Sequence, residues 1–263
     1  MFKFLLKGLE EITPWGEGNQ RYLHWFGLTD AWYWLDIEGV QLLRYSDEFL
    51  QKYLSQLPYV DYQLARLFWD FTGIVRDVLA PIPDEVFANI RTFENFEAYL
   101  DTLADWLEHE WDGTEEVYDR IYVPASQWVA QRRLDSSYLI GAPRIYFFRN
   151  GEQFYVRWIA DFVDEQGVPM WQTAKGEYVV DFGTFVAGLQ QSVRAFAGAM
   201  DKQVKLALDV PSDLIYIDRA KLLGNHEEFL REVEAYDDIL SFVSDWADWE
   251  DVAAKITQIR WGG

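Results

Sequence analysis

The residues best placed to do chemistry in this chain are carboxylates. Glu97, Asp101, Asp105, Glu108 and Asp112 follow one another at steps of four, four, three and four. That spacing puts side chains on one face of a helix. At 1.5 Å rise per residue, neighbouring carboxylates stand about 4.5–6 Å apart along the axis. Repulsion at that spacing costs an isolated helix about 0.2–0.5 kcal/mol per pair, and nothing in helix formation asks for it. Such a stripe either keeps a surface hydrated or meets a basic partner. A second acidic set, Asp245, Asp248 and Asp251, is interleaved with Trp246 and Trp249. Aromatic anchors suit an interface, and they suit ordinary packing as well. The candidate partner-binding residues are therefore Glu97, Asp101, Asp105, Glu108, Asp112, Asp245, Trp246, Asp248 and Trp249.

The opposite charge is concentrated elsewhere. Residues 120–160 carry Arg120, Arg132, Arg133, Arg144, Arg149 and Arg157 against only Asp135 and Glu152. Arginine forks match carboxylate and phosphate, so Arg132, Arg133, Arg144 and Arg157 form a candidate anion site. With Asn150-Gly151 as a two-residue turn, Arg144 falls opposite Arg157. Like charges across a strand pair repel, so an anion is expected there, either an Asp or Glu of the chain or a bound ligand.

Other chemistry is sparse. His24, His109 and His226 stand apart, and neither Glu108-His109-Glu110 nor His226-Glu227-Glu228 has the second histidine of a zinc-binding H-E-x-x-H. No metal or cofactor site is expected. No G-x-S-x-G, P-loop or G-x-G-x-x-G occurs. The absence of cysteine excludes thiol catalysis and disulfides. An aromatic pocket around His24, Asp30, Trp32 and Trp34 is the one alternative, with His24 and Asp30 a catalytic couple only if the fold joins them. No catalytic residue is assigned.

The chain has 263 residues, 50% of them hydrophobic, with 13 Trp, 15 Tyr and 18 Phe, so aromatic burial should carry much of the stability. Its formal net charge is −21. Residues 92–119 hold ten acidic residues and residues 232–254 hold eight, neither stretch containing Lys or Arg. A nucleic-acid binder carries a basic footprint, so no nucleic-acid partner is expected. The first sixteen residues lack the apolar core and cleavage site of a signal peptide, and no stretch reaches the roughly 18–20 apolar residues of a membrane span. A cytoplasmic protein with no membrane partner is expected.

The elements that must position these groups follow from periodicity. Residues 2–6 read as a strand. Residues 23–46 read as a meander whose Glu38-Gly39 turn pairs Ile37 with Val40, Leu35 with Leu42, Asp36 with Gln41, Tyr33 with Arg44 and Trp32 with Tyr45. Helices follow at about 48–56, 61–79, 93–111 and 115–133, the last kinked or split by Pro124. Residues 143–159 form a second hairpin, and residues 176–182 add a strand to it. Helices close the chain at about 182–206, 226–235 and 239–259, with a short strand at 214–217. The expected fold is α+β: an antiparallel sheet built from two hairpins, packed with helices, with a helical insertion at about 47–136 between them and an acidic helical part at about 226–259.

The block HWFGLTD-x-WYW within residues 24–34, preceded by Pro14-Trp15-Gly16, and the later RRLD-x-x-YL-x-x-AP block at residues 132–143 resemble a family of uncharacterised bacterial proteins classed only as a domain of unknown function. The resemblance covers under half the chain and implies a whole-chain fold, but no activity and no catalytic residue. The functional expectation therefore rests on charge. It is an intracellular binding or inhibitory protein, such as an immunity protein that neutralises a basic toxin or nuclease-like partner. The alternative is a ligand-binding protein or enzyme that takes a small anion through the arginine cluster and an aromatic pocket.

Overall fold

The computed structural model describes residues 1–16, 21–53, 57–211, 216–243 and 247–261. Two antiparallel sheets and two hydrophobic cores organise them. The first sheet is built on β2 (Asp30–Ile37). Along one edge β2 pairs with β1 (Phe2–Leu6), with Phe4 opposite Tyr33. Its other edge is shared by β3 (Val40–Leu42) and β4 (Val60–Gln63).

The β2–β3 turn forms as its residues dictate. Glu38 and Gly39 both take positive φ, 48° and 93°, and the Asp36 carboxylate accepts the Gly39 N–H at 3.1 Å. The expected pairs Ile37–Val40, Asp36–Gln41 and Leu35–Leu42 are present. Pairing then stops, because Leu43 sits at φ 65° and turns the chain away. Tyr33 consequently faces Val60 rather than Arg44, and Trp32 faces Asp61 rather than Tyr45. Only one face of β2 is fully buried: Ala31, Tyr33, Leu35 and Ile37 enter the core, while Trp32 and Trp34 are half-buried. On that second face Trp34 stacks on Tyr59 at 3.9 Å.

The second sheet runs β5 (Arg133–Leu134), β6 (Arg144–Asn150), β7 (Gln153–Ile159), β8 (Lys175–Asp181). The two hairpins thus belong to different sheets. The β6–β7 register departs from expectation: Asn150 pairs with Gln153, leaving Gly151-Glu152 as the turn, with Gly151 at φ 58°. Asn150 stays in the strand because its amide donates to the Ile82 carbonyl at 3.0 Å and to Asp84 at 2.9 Å.

Both faces of this sheet are covered. Ile145, Phe147, Phe154 and Val156 point into the first core. There they meet the apolar face of α2 (Leu64–Leu79), the 27-residue α7 (Phe182–Leu208), α8 (Arg219–Ala235) and β2. Tyr146, Phe148 and Ile159 point into the second core. That core is closed by α3 (Asp84–Phe87), α4 (Phe93–Asp105), α6 (Val123–Ala130) and α9 (Trp249–Trp261). Double coverage explains why β6 and β7 read as almost continuous apolar runs.

The region expected as a helical insertion also contains two strands, since β4 returns to the first sheet and β5 joins the second. It holds α1 (Asp47–Tyr53) as well, where Ser46 Oγ accepts the Phe49 N–H at 3.0 Å. The helices after α4 change pitch: residues 106–110 and 118–122 are π turns flanking α5 (Glu115–Val117), and Pro124 lies in the first turn of α6. α8 begins earlier than its apolar spacing suggests, at Arg219, capped by Asp218, which accepts the Lys221 N–H at 3.0 Å. The strand expected at 214–217 lies largely outside the described residues.

Candidate functional site

α4 starts where Thr92 Oγ1 accepts the Asn95 N–H at 3.2 Å. Phe96, Tyr99 and Leu103 sink its apolar face into the second core. Asp101, Asp105 and Glu108 are left exposed on the rest of the helix and its π-turn extension. Glu97 is half-buried and tied to Lys175 at 2.9 Å. Among the described residues Asp101, Asp105 and Glu108 have no ion-pair partner. Asp112 has a local role: its carboxylate accepts the Thr114 N–H at 2.9 Å and hydroxyl at 2.7 Å. Those bonds hold its pKa below the usual carboxylate range. Thr114 in turn caps α5 through the Val117 N–H.

Between stripe and turn stands Trp111, 40% exposed, its indole N–H held by the Thr114 carbonyl at 2.9 Å. Sequence reasoning overlooked it. Its signal was a tryptophan set directly between the acidic helix and Asp112-Gly113. The π turns that carry this corner are a geometry found often at functional sites. Trp106 from the first stacks on Tyr122 from the second at 5.8 Å.

The second acidic set is placed differently. Asp248 accepts the Asp251 N–H at 3.1 Å and so starts α9. Trp249 is half-buried, packed edge-on against Trp128 with the Arg132 guanidinium 5.6 Å from its ring. Asp245 and Trp246 lie outside the described residues.

The four arginines do not converge on an open site. Arg144 pairs with Ile159 and Arg157 with Tyr146, so the two do not oppose each other. One cross-strand row reads Arg133, Tyr146, Arg157, Glu177. Arg157 is fully buried. Its Nη2 meets Glu177 Oε2 at 2.5 Å, and the fork also donates to the Ile90 carbonyl at 2.5 Å and the Arg91 carbonyl at 3.2 Å. The rings of Phe96, Phe148, Tyr155 and Phe87 surround it at 5.2–5.9 Å. Burial pushes its pKa down and Glu177 pulls it back. Arg157 thus has a carboxylate of the chain as its partner, while the opposition with Arg144 that called for an anion is absent. Arg132 is equally buried and donates to the Trp128 carbonyl at 2.7 Å. Arg133 and Arg144 are exposed.

An aromatic pocket does exist, of about 580 Å³, within the range of small-molecule sites. It lies between the segment Tyr22–Phe26 and one face of α8. The α8 residues in it, Lys221, Leu222, Asn225, Glu228, Phe229 and Glu232, recur at steps of three and four. Trp25 and Phe229, both 2% exposed, form its floor, 5.0 Å apart. Trp69 stacks on Phe26 at 5.5 Å and 7°, and remains 41% exposed. Of the residues expected in an aromatic pocket, His24 is present. Asp30 pairs with Lys7 at 3.3 Å, and Trp32 and Trp34 lie on the outer face of β2, so His24 and Asp30 are not brought together here.

Hydrogen bonds fix one histidine in the pocket and another behind it. His24 Nδ1 accepts the Gly27 N–H at 3.1 Å, which leaves its Nε2 to carry the proton. Burial, then the nearby Lys221 charge, lowers its pKa and favours the neutral ring. Behind the floor, the Trp25 indole N–H donates to His226 Nδ1 at 3.3 Å, and His226 Nε2 meets Asp201 at 2.8 Å. An indole N–H can only donate, so His226 Nδ1 is unprotonated. Glu232 sits at the far end. Burial raises its pKa, the Trp69 side chain offsets this by donating to the carboxyl, and Glu228 adds to the rise. Glu232 Oε2 is shielded from solvent and has no hydrogen-bond partner.

Among the described residues no group of three or more His, Cys, Asp or Glu could hold a metal ion. No helix among them is long and apolar enough to cross a membrane.

A mixed α+β protein with two separate antiparallel sheets packed against helices is thereby defined. Residues 1–255 match the Family of unknown function (DUF5984), and the chain belongs to that family. The match runs through the helical stretch between the two sequence blocks, where the residues alone carried no resemblance. Comparison with curated proteins and with solved structures returns no match.

Proposed function

We propose that this is an intracellular binding or inhibitory protein that engages a basic protein partner through the α4 face, in the manner of an immunity protein. The observation that carries the reading is the state of Asp101, Asp105 and Glu108: exposed, in line over about 10 Å, beside exposed Trp111, and without an ion pair among the described residues. Folding supplies a counter-charge for Glu97 and stops there. Like charges left unpaired in a row cost stability, and they raise the rate of encounter with a basic surface. Trp111 supplies the apolar anchor that charge alone lacks.

The test is capture from lysate of the source cell at low salt, with wild type and with Asp101→Lys/Asp105→Lys/Glu108→Lys. A basic protein held by wild type, lost by the triple variant and released as salt shortens the Debye length below about 8 Å supports the reading. The same proteins retained by both would sink it.

A further inference from the structure

We propose that the pocket between Tyr22–Phe26 and α8 binds a small organic amine, with its ammonium N–H groups on Glu228 and Glu232 and its apolar body on Trp69. This goes beyond the α4 interface and does not depend on it.

Three observations converge on that chemistry. The first is a carboxylate with accepting capacity to spare. Glu232 lines the pocket, is half-buried and accepts from the Trp69 side chain, while its Oε2 has no hydrogen-bond partner. Ligand N–H groups at the exposed part of that carboxyl would complete its hydrogen bonding. The second is charge. The pocket is lined by three carboxylates, Asp218, Glu228 and Glu232, against the single ammonium of Lys221. Asp218 is already engaged as the cap of α8, and Lys221 sits two to three turns from the Glu228/Glu232 end. Phosphates and carboxylates are therefore repelled from that end, and a cation is drawn in. The third is the wall. Trp69 presents an exposed ring, backed flat by Phe26, and such a face is a broad apolar surface for the body of the amine.

The ligand is further specified. A quaternary ammonium could lie against the ring but has no N–H to donate to Glu228 or Glu232, so a primary or secondary amine is required. The volume of about 580 Å³ admits a body larger than a bare ammonium.

The experiment is calorimetric titration of the full chain with phenethylamine and tryptamine. Their controls are 3-phenylpropionate and indole-3-propionate, which keep the rings and reverse the charge, and the N,N,N-trimethyl derivative of phenethylamine. The expected result is a Kd for at least one amine tighter than about 1 mM, no heat with its carboxylate twin, and weaker binding of the trimethyl form. Glu232→Gln and Trp69→Ala should each weaken the amine about tenfold or more, and Glu165→Gln, exposed and outside the pocket lining, should leave it unchanged. Circular dichroism would confirm that each variant is folded. Neither amine binding, twins of opposite charge binding alike, or full affinity in folded Glu232→Gln would each overturn the proposal.

Discussion

Arg157→Met distinguishes a buried structural cation from the ligand-binding arginine that its sequence suggests. Methionine keeps most of the side chain's length, so the surrounding rings of Phe96, Phe148 and Tyr155 retain a packing partner. What is lost is polar. The Ile90 carbonyl belongs to a residue with no exposure and cannot be rehydrated. The Arg91 carbonyl loses its donor as well. An orphaned buried acceptor costs about 1–3 kcal/mol. Glu177 keeps 23% of its side-chain surface exposed and recovers part of its hydration. That places the total at about 3–5 kcal/mol, the range for breaking one side of a buried pair. Equilibrium urea unfolding reads it as a lower midpoint with an unchanged slope. The comparison is Arg144→Met, exposed, where about 0–0.5 kcal/mol is expected. Glu177→Gln should fall between them. A cost for Arg157→Met below about 1 kcal/mol, or equal to that of Arg144→Met, would refute the account of the second core.

Two further outcomes are expected. Glu232 has its pKa raised above the ordinary 4.5 by burial, so the fold favours its neutral form. That contribution is present below pH 4.5 and is lost as pH rises through the raised value. Glu232→Gln should therefore have a higher Tm than wild type at pH 7, the gap closing as pH falls towards 4, and a constant or inverted gap would argue against it. Gly141 sits at φ 59°, and a Cβ there would stand 2.4 Å from the Phe162 ring. Gly141→Ala should cost about 1–3 kcal/mol in the same unfolding assay, and a neutral result would show that the loop moves freely.

The local parts of this fold were legible and the long-range parts were not. Glu38-Gly39 dictated its own turn, and three pairs of the first hairpin followed from it. The second hairpin carried an equally strong signal in Asn150-Gly151. Its turn shifted by one residue because Ile82 and Asp84, nearly seventy positions away, hold the Asn150 amide in the strand. That shift also removed the Arg144–Arg157 opposition, and with it the geometric case for an anion there. Leu43 gave no warning of its left-handed backbone, which is rare for its type. The acidic stripe of α4 was readable because a helix face is a local property. The pocket was half readable: the α8 residues show the spacing of one face, but their partners at 22–26 are about two hundred positions distant, as the Trp25–His226 bond illustrates.

That separation governs how the molecule is made. During synthesis the chain emerges from its N-terminus, so β1, β2 and the Trp25 segment leave the ribosome long before α8 exists. The floor of the pocket needs Phe229, and its acidic end needs Glu232. Until then Trp25, Phe26 and Trp69 are an uncovered aromatic surface on a nascent chain, the kind of surface that invites misassociation. Contacts of such sequence separation close late and slowly. The pocket is thus among the last things to form, and any product truncated before α8 would carry the first sheet and the acidic α4 but no pocket.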